Sequence, residues 1–283
     1  MAGETRLKIG ICNEIFQGWP IEDVFSYAAE IGCDGVEIAP HLLADSVADL
    51  SSARRREIRQ AAARHEVEIL GLHWLLVKPE GLSINHPDTA VRKRTQEQIR
   101  SLIHLCADLG GRILTHGSPG QRTVQESWDV QESWRRARET FESCLSTLDD
   151  RDTVYCIEPL AQMNTNFINT STEALRLIRE IDHPRFQLMV DCRSAEMSDG
   201  SAVTALDTAL ASGHLHHVHV NDVNGRGPGF GRVQFAPILE RLIGAAYRGY
   251  VSVEVFEFDP DPRTIAARSV GYLKGIVEAL AGC

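Results

Sequence analysis

The sequence lacks the long apolar runs and paired cysteines that characterise membrane and secreted proteins. No stretch approaches the roughly 18 uncharged apolar residues of a membrane-spanning helix, and Glu4, Arg6 and Lys8 precede the first apolar run, so we expect neither a membrane span nor a secretion signal. The seven cysteines are scattered and odd in number, and none forms a C-x-x-C pair. This pattern is typical of a reduced, cytoplasmic chain.

Positive charge is also scarce. The 29 Lys and Arg residues are outnumbered by 39 Asp and Glu residues, and the formal net charge of -10 disfavours a general affinity for nucleic acid or an anionic membrane. A hydrophobic content of 43% and a charged content of 24% are ordinary for a globular protein with a sizeable core. We therefore expect a small-molecule partner.

Strand-like runs alternate with helical segments along the chain. The eight strand-like runs are 7–13, 35–39, 67–73, 112–116, 153–158, 186–191, 216–221 and 250–256. The eight helical segments are 20–31, 47–65, 88–109, 126–149, 171–181, 201–212, 235–246 and 262–281. Strict alternation with this count predicts an α/β fold whose parallel strands close into a (β/α)8 TIM barrel. No linker-like tract divides the chain, so we predict one domain over residues 1–283.

An open, doubly wound parallel sheet is the alternative to the barrel. That fold would be favoured by a G-x-G-x-x-G phosphate fingerprint after the first strand, but the sequence there is Gly-Ile-Cys-Asn-Glu-Ile-Phe. The barrel is the better prediction.

Four strand-like runs in the second half of the chain end in potential metal ligands. Glu158, Asp191, His219 and Glu254 stand at or near these ends. Because parallel barrels gather the carboxyl ends of their strands on one rim, we expect these side chains to meet. Three carboxylates and one imidazole form an oxygen-rich set that suits Mn²⁺, Mg²⁺ or Co²⁺ better than a structural zinc. The pattern predicts a metal-dependent enzyme.

Each ligand taken alone has a simpler interpretation. A strand-end acid is also found in salt bridges and helix caps, and a strand histidine is often a hydrogen-bonded core residue. His217 and His219 share one face of their strand, and the residue nearer the carboxyl end, His219, is the favoured ligand. His217 would lie deeper, as support for the site or as packing.

Other polar or aromatic residues follow the predicted strands and are candidates for substrate contact. They are His73, Trp74, Lys78, His116, Arg122, Arg193 and Arg226. An indole suits a sugar ring, and a cation suits a carboxylate or phosphate, although each cation could equally be a solvated loop residue. The Gly-rich stretch 225–231 lacks the Lys-Ser/Thr ending of a P-loop.

Several motifs extend over nearly the whole chain. They include Asp34-Gly35-Val36-Glu37, Asp88-x-x-x-Arg92, Leu109-Gly110-Gly111, Ile157-Glu158-Pro159-Leu160, Asn166-Phe167-Ile168-Asn169-Thr170, Val190-Asp191, His217-Val-His219 with Pro228-Gly229, and Val253-Glu254. In these motifs the chain resembles the sugar phosphate isomerase/epimerase superfamily, the xylose-isomerase-like TIM barrels. Its nearest familiar branch is the ketose 3-epimerases acting on D-tagatose and D-psicose.

The resemblance implies a metal held by Glu158, Asp191, His219 and Glu254, with the two glutamates acting as an acid/base pair on opposite faces of the sugar. It implies removal of an α-proton through a metal-stabilised enediolate, with Mn²⁺ as the first expectation and a homodimer or homotetramer as the assembly. The substrate positions depart from the branch. Asn164 and Ser194 replace a glutamate and a histidine, and Arg226 corresponds to an arginine only after a shift of one residue.

The leading hypothesis is therefore an epimerase or isomerase of a keto sugar or a related carbohydrate, including a sugar acid. A metal-dependent dehydratase or lyase on a sugar-derived substrate is the nearest alternative, because the same intermediate can lead to elimination. A phosphodiesterase resembling endonuclease IV is disfavoured by the acidic charge. A noncatalytic barrel that serves as a binding module is the remaining alternative.

Overall fold

The strands form where β-branched and aromatic residues cluster in short runs, and they are buried on both faces, as parallel barrel strands must be. A computed structural model describes residues 7–281. Glu4, Arg6 and Cys283, which entered the sequence argument, lie outside these residues. The strands are β1 (Lys8–Cys12), β2 (Gly35–Ile38), β3 (Glu68–Leu72), β4 (Ile113–His116), β5 (Val154–Ile157), β6 (Phe186–Asp191), β7 (Leu215–Val220) and β8 (Tyr250–Val253).

The strands close into a ring in chain order, with β1 paired to β2 on one side and to β8 on the other. All pairings are parallel, and Lys8 to Ile11 lie opposite Tyr250 to Val253 at the closure. This closure excludes the open sheet and confirms the predicted (β/α)8 TIM barrel.

The helices surround the ring. They are α1 (Ile21–Glu30), α2 (Ser52–Arg64), α3 (Thr89–Leu109), α4 (Val130–Glu142), α5 (Leu145–Arg151), α6 (Ser171–Ile181), α7 (Cys192–Ser198), α8 (Ala202–Ser212), α9 (Phe235–Gly244) and α10 (Pro262–Ala281). Short 3₁₀ helices cover Asn13–Phe16, Pro40–Leu42 and Val47–Asp49. None of the helices within residues 7–281 has the length and apolar character needed to cross a bilayer.

Three predicted segments differ from the structure. The single helix predicted over 126–149 is two helices, α4 and α5, and the one predicted over 47–65 is a 3₁₀ turn followed by α2, whose N-cap is Ser51. Arg193, expected in a loop, lies in the first turn of α7. Ser51 caps α2 and Asp191 caps α7, and each starts a helix inside a stretch that periodicity alone joins or omits. The helix α5 follows Cys144 without a side-chain cap.

The core has two parts. A large cluster lies between the strands and the helices, and a small one contains Ile113, Val154, Cys156 and Met189. Cys156 and Met189 lie two residues before Glu158 and Asp191, so they share the strand faces of these acids. The six cysteines within residues 7–281 are buried and unpaired.

Candidate metal and substrate site

The four predicted metal ligands meet at the carboxyl rim of the barrel. Asp191 ends β6, His219 lies beside it on β7, and Glu158 and Glu254 directly follow β5 and β8. One potential ligand atom from each residue lies within 4.8 Å of those from the other three, and all four side chains are buried. The sequence brings them together because four consecutive strands of one ring each carry a ligand within one residue of the carboxyl end.

Gly117, directly after β4, leaves the space that the carboxylate of Glu158 occupies. A Cβ atom at this position would lie 2.0 Å from Oε2 of Glu158, so a larger residue would push the carboxylate aside. The glycine therefore allows the chain after β4 to approach the cluster closely.

Two histidines hold Glu254. Nδ1 of His219 lies 3.1 Å from Oε2 of Glu254, and Nδ1 of His73 lies 3.4 Å from Oε1. Burial alone would raise the pKa of Glu254, but these two imidazoles outweigh it and lower the pKa to about 2. Nε2 of His73 lies 3.1 Å from Oε2 of Glu14. Burial opposes the charged imidazole of His73, but Glu14 and Glu254 outweigh this effect and raise the pKa of His73 to about 10.

The other two carboxylates are in a different environment. Burial, followed by the charges of Glu254 and Asp191, raises the pKa of Glu158 well above its usual value. Burial and the charge of Glu254 also raise the pKa of Asp191. Asp191 accepts hydrogen bonds from the main-chain N of Ser194 at 2.7 Å and from Nδ2 of Asn221 at 2.6 Å, and these bonds lower the pKa only in part. The ionised forms of Glu158 and Asp191 are thus disfavoured in this site unless a positive partner stabilises them.

Glu37 and Glu14 also belong to the site, although the sequence alone predicted no role for either residue. Glu37 on β2 is fully buried and accepts hydrogen bonds from Nε2 of His217 at 2.5 Å and from Nε2 of His219 at 3.2 Å. Burial would raise the pKa of Glu37, but the two histidines lower it well below its usual value. The only sequence signal for Glu37 was its place in the Asp-Gly-Val-Glu motif, and Glu14 had none beyond following the first strand.

A cavity of about 200 Å³ opens above the ligands. Its lining contains Glu158 and Glu254 together with His73, Trp74, Thr115, Gly117, Pro119, Leu160, Asn164, Arg193, Ser194 and Phe256. The volume is below the roughly 300–1,000 Å³ typical of sites for drug-sized ligands, so the cavity suits a small polar molecule.

Among the residues that the sequence suggested for substrate contact, His73, Trp74 and Arg193 line this cavity. Asn164, which stands at a substrate position of the related branch, lines it too. The structure does not bring His116 or Arg226 to it. His116 is fully buried and its Nδ1 is hydrogen-bonded to the Tyr155 hydroxyl at 2.5 Å. Arg226 forms an ion pair of 2.6 Å with Asp259 on the surface.

The four-ligand set fits a divalent cation. Three carboxylates and one imidazole are a donor set for a hard or borderline metal, and buried acids at such short separations require a positive partner. Two other sets, Cys12 with Glu37 and His219, and Cys12 with Glu14 and His73, are also close enough to hold an ion. Cys12, Glu37 and Glu14 do not line the cavity, so the four-residue set is the one open to a substrate.

The chain is similar to several known proteins that are named as sugar epimerases. A probable ketose 3-epimerase of Synechocystis sp. is 25% identical over 95% of this chain and 91% of its own length. A 3-dehydro-D-guloside 4-epimerase of Escherichia coli K12 is 26% identical over 95% of this chain and 99% of its own length. The solved structure of an L-ribulose 3-epimerase superposes with a TM-score of 0.85 at 19% identity, over 98% of this chain and 96% of that one, which shows the shared fold. The family model for the xylose isomerase-like TIM barrel matches residues 25–276, and the chain belongs to that family.

Proposed function

We propose that the protein is a divalent-metal-dependent epimerase or isomerase of a keto sugar or a related carbohydrate, with Glu158 and Glu254 as its acid/base pair. The relatives support the reaction class, because they are named as a 3-epimerase of a ketose and a 4-epimerase of a 3-dehydro sugar. Carbon 3 of a 2-ketose and carbon 4 of a 3-keto sugar are both adjacent to a carbonyl group. Both names therefore describe inversion at a carbon whose proton is acidified by that carbonyl.

The observation that carries the proposal is the placement of two buried carboxylates on one cavity. Glu158 comes from β5 and Glu254 from β8, three strands apart around the ring, and both line the space above the ligand cluster. One carboxylate removes the α-proton and the other supplies a proton to the opposite face, so the carbon is inverted without net change in atoms. If only one carboxylate reaches the substrate, the same proton can return to a neighbouring carbon, and the reaction is an isomerisation.

Glu158, Asp191, His219 and Glu254 would hold the cation, which when bound acts as a Lewis acid on the substrate oxygens. Mn²⁺ is our first choice and Mg²⁺ and Co²⁺ are alternatives, because most of the donors are carboxylate oxygens.

The remaining residues position the reaction. His73 and His219 fix both oxygens of Glu254, and Trp74 offers an apolar wall beside the cavity. Asn164 and Ser194 offer neutral hydrogen-bonding groups to sugar hydroxyls.

We also propose that the protein is a cytoplasmic homo-oligomer, a dimer or a tetramer. Its unpaired cysteines and its family membership support these two points. Light scattering of the purified full chain measures the subunit number.

The test of the proposed function is α-proton exchange followed by NMR in D₂O. Protein loaded with Mn²⁺ or Mg²⁺ is incubated with ketoses, keto sugar acids and ketose phosphates. We expect deuterium uptake next to the carbonyl, and the product identifies an epimerase, an isomerase or a lyase. Glu158→Gln and Glu254→Gln should each lower the rate by about 10²–10⁴-fold, because each removes a general acid/base group.

The matched control is Glu240→Gln, which makes the same change on an exposed side chain of α9 and should leave the rate unchanged. Normal turnover by either cavity variant, with its metal bound, would refute the acid/base assignment.

A further inference from the structure

The cationic residues that the sequence suggested for substrate binding are mostly committed to other partners. Arg226 is paired with Asp259, and Lys78 lies 3.6 Å from Glu80. Arg122 is fully buried, and its guanidinium donates to two main-chain carbonyl groups at the ends of β4 and β5. None of these three cations lines the cavity.

Arg193 differs from these three cations because it lines the cavity and, in the part of the chain that the structure describes, has no partner that occupies its guanidinium. It lines the cavity, and its guanidinium lies over the Phe256 ring with Cζ 5.3 Å from the ring centroid. Its Nε is inaccessible to solvent and has no hydrogen-bond acceptor, and no carboxylate within residues 7–281 forms an ion pair with its guanidinium. The side chain is thus held beside the site with its hydrogen-bonding capacity unused.

The backbone of Arg193 is fixed with respect to the ligands. Its main-chain N donates to Oδ1 of Asn221 at 2.8 Å, and Arg193 stands two residues after Asp191 in the first turn of α7. On the other side, the Phe256 ring packs edge-on against Trp74, with centroids 6.4 Å apart. The aromatic wall and the guanidinium therefore form one side of the cavity mouth.

The charges around the cavity give this guanidinium a specific use. His73 is the other basic side chain of the lining, and it is already placed between two carboxylates. Asn164 and Ser194 are neutral. Apart from the ligand carboxylates, which a divalent cation would neutralise, the unpaired guanidinium is the remaining fixed charge for a substrate to meet.

We propose that Arg193 binds a carboxylate of the substrate, so that the natural substrate class is a keto sugar acid rather than a neutral ketose. This inference rests on the proposed function and names the substrate class of the same site. A planar guanidinium offers two parallel N–H donors that match the two oxygens of a carboxylate. Aromatic stacking restricts the guanidinium in advance, which lowers the entropy cost of forming this pair.

A phosphate fits the surroundings less well. Phosphate sites usually combine several cations or a group of free backbone N–H groups. Here the N-terminus of the short helix α7 is already capped by the carboxylate of Asp191, which accepts from the N of Ser194. One guanidinium without such support favours a singly charged group.

The test uses three substrates that differ only at carbon 6: D-fructuronate, D-fructose and D-fructose 6-phosphate. Mn²⁺-loaded wild-type protein, Arg193→Gln, Arg193→Lys and the control Arg232→Gln, an exposed arginine, are assayed by α-proton exchange. We expect the wild type to favour D-fructuronate over D-fructose by about 10- to 100-fold in kcat/KM, the effect of one charge-assisted bidentate pair.

Arg193→Gln should remove this preference by raising KM for D-fructuronate, with kcat nearly unchanged, because the guanidinium contacts the substrate in the ground state and in the transition state alike. Arg193→Lys should retain part of the preference, and Arg232→Gln all of it. D-Fructose should respond to none of the three variants.

A binding experiment separates this inference from the proposed function. Calorimetry compares D-gluconate with D-glucitol, which differ only in carrying a carboxylate or a hydroxymethyl group. Tighter binding of D-gluconate that disappears in Arg193→Gln supports the inference even if no ketose exchanges its proton.

Three results would overturn the inference. They are equal binding of D-gluconate and D-glucitol, a preference for D-fructose 6-phosphate, and rapid exchange of D-fructose with no higher kcat/KM for D-fructuronate. The last result would leave the proposed epimerase standing while removing its acidic substrate.

Discussion

A histidine can bind a metal through only one ring nitrogen at a time, so the group that holds the other nitrogen decides how the ring is presented. In His219 this group is Glu37, which accepts from Nε2, while Nδ1 points to Glu254. Glu37 is itself shared with His217, so one buried carboxylate orients two rings on β7. Such supporting carboxylates fix the tautomer and the orientation of a ligand histidine.

We predict that Glu37→Gln weakens Mn²⁺ binding by about 10- to 100-fold, the usual effect of losing a supporting carboxylate. The amide cannot balance the charge on the two imidazoles, and it presents only one oxygen to them. Titration of the purified protein with Mn²⁺ measures the change, and circular dichroism checks the fold.

Glu68→Gln is the matched control for this prediction. Glu68 is an exposed glutamate that begins β3, where it pairs with Lys8 at 3.0 Å, at the end of the strand remote from the rim. Mn²⁺ affinity in Glu37→Gln equal to that of the control would show that Glu37 does not orient His219.

The sequence was sufficient to suggest the four cluster residues but not the residues that support them. Glu158, Asp191 and Glu254 stand out because each ends an apolar run, where a carboxylate is costly to bury without a partner. Glu37 and its partner His217 are 180 residues apart in the chain. Only the closed ring, in which just β1 and β8 separate β2 from β7, brings them into contact across its interior, and no local pattern contains that information.

At the scale of elements, the junction between β6 and α7 performs two tasks with one side chain. Asp191 ends the strand, and its Oδ1 accepts from the main-chain N of Ser194, which caps the helix that follows. Its Oδ2 accepts from Asn221 and lies within the ligand cluster. The cap positions the helix that carries Arg193 and Ser194.

Two substitutions separate these tasks. Asp191→Asn keeps an oxygen for the cap and removes the charge, so we predict lost Mn²⁺ affinity and little loss of helix stability. Asp191→Ala removes both, and it should cost about 1 kcal/mol more in the free energy of unfolding, the usual value of an N-cap. Urea unfolding in EDTA measures the difference without a contribution from metal. Equal stability of the two variants, or unchanged Mn²⁺ affinity in Asp191→Asn, would contradict the double role.

Elements of several turns were predictable, and short ones were not. Periodicity located the long helices α3 and α10, whereas α7, with seven residues, is too short for a repeat to be recognised. The break between α4 and α5 at Ser143 and Cys144 carries no proline or glycine, so the sequence gives no local signal for it.

The whole molecule was the most predictable level, because eight repeats of strand and helix leave few other ways to bury the strands on both faces. Closure also explains why the site is assembled only in the folded state. The ligands come from four consecutive strands, β5 to β8, which span residues 154–253. Their carboxylates are costly as a group, since burial and mutual repulsion raise the pKa values of Glu158 and Asp191.

A divalent cation should therefore stabilise the entire barrel and not merely its rim. An ion that binds only the folded state adds about 2.7 kcal/mol when its concentration is 100 times Kd. For a chain of this size we predict a rise in Tm of roughly 5 °C between EDTA and saturating Mn²⁺, measured by calorimetry. The ligands belong to half of the ring, but closure of the ring joins this half to the other. The unfolding transition should therefore move to higher temperature as a single peak. Asp191→Asn should reduce the rise strongly, whereas an equal rise in that variant would mean that the stabilising ion binds elsewhere.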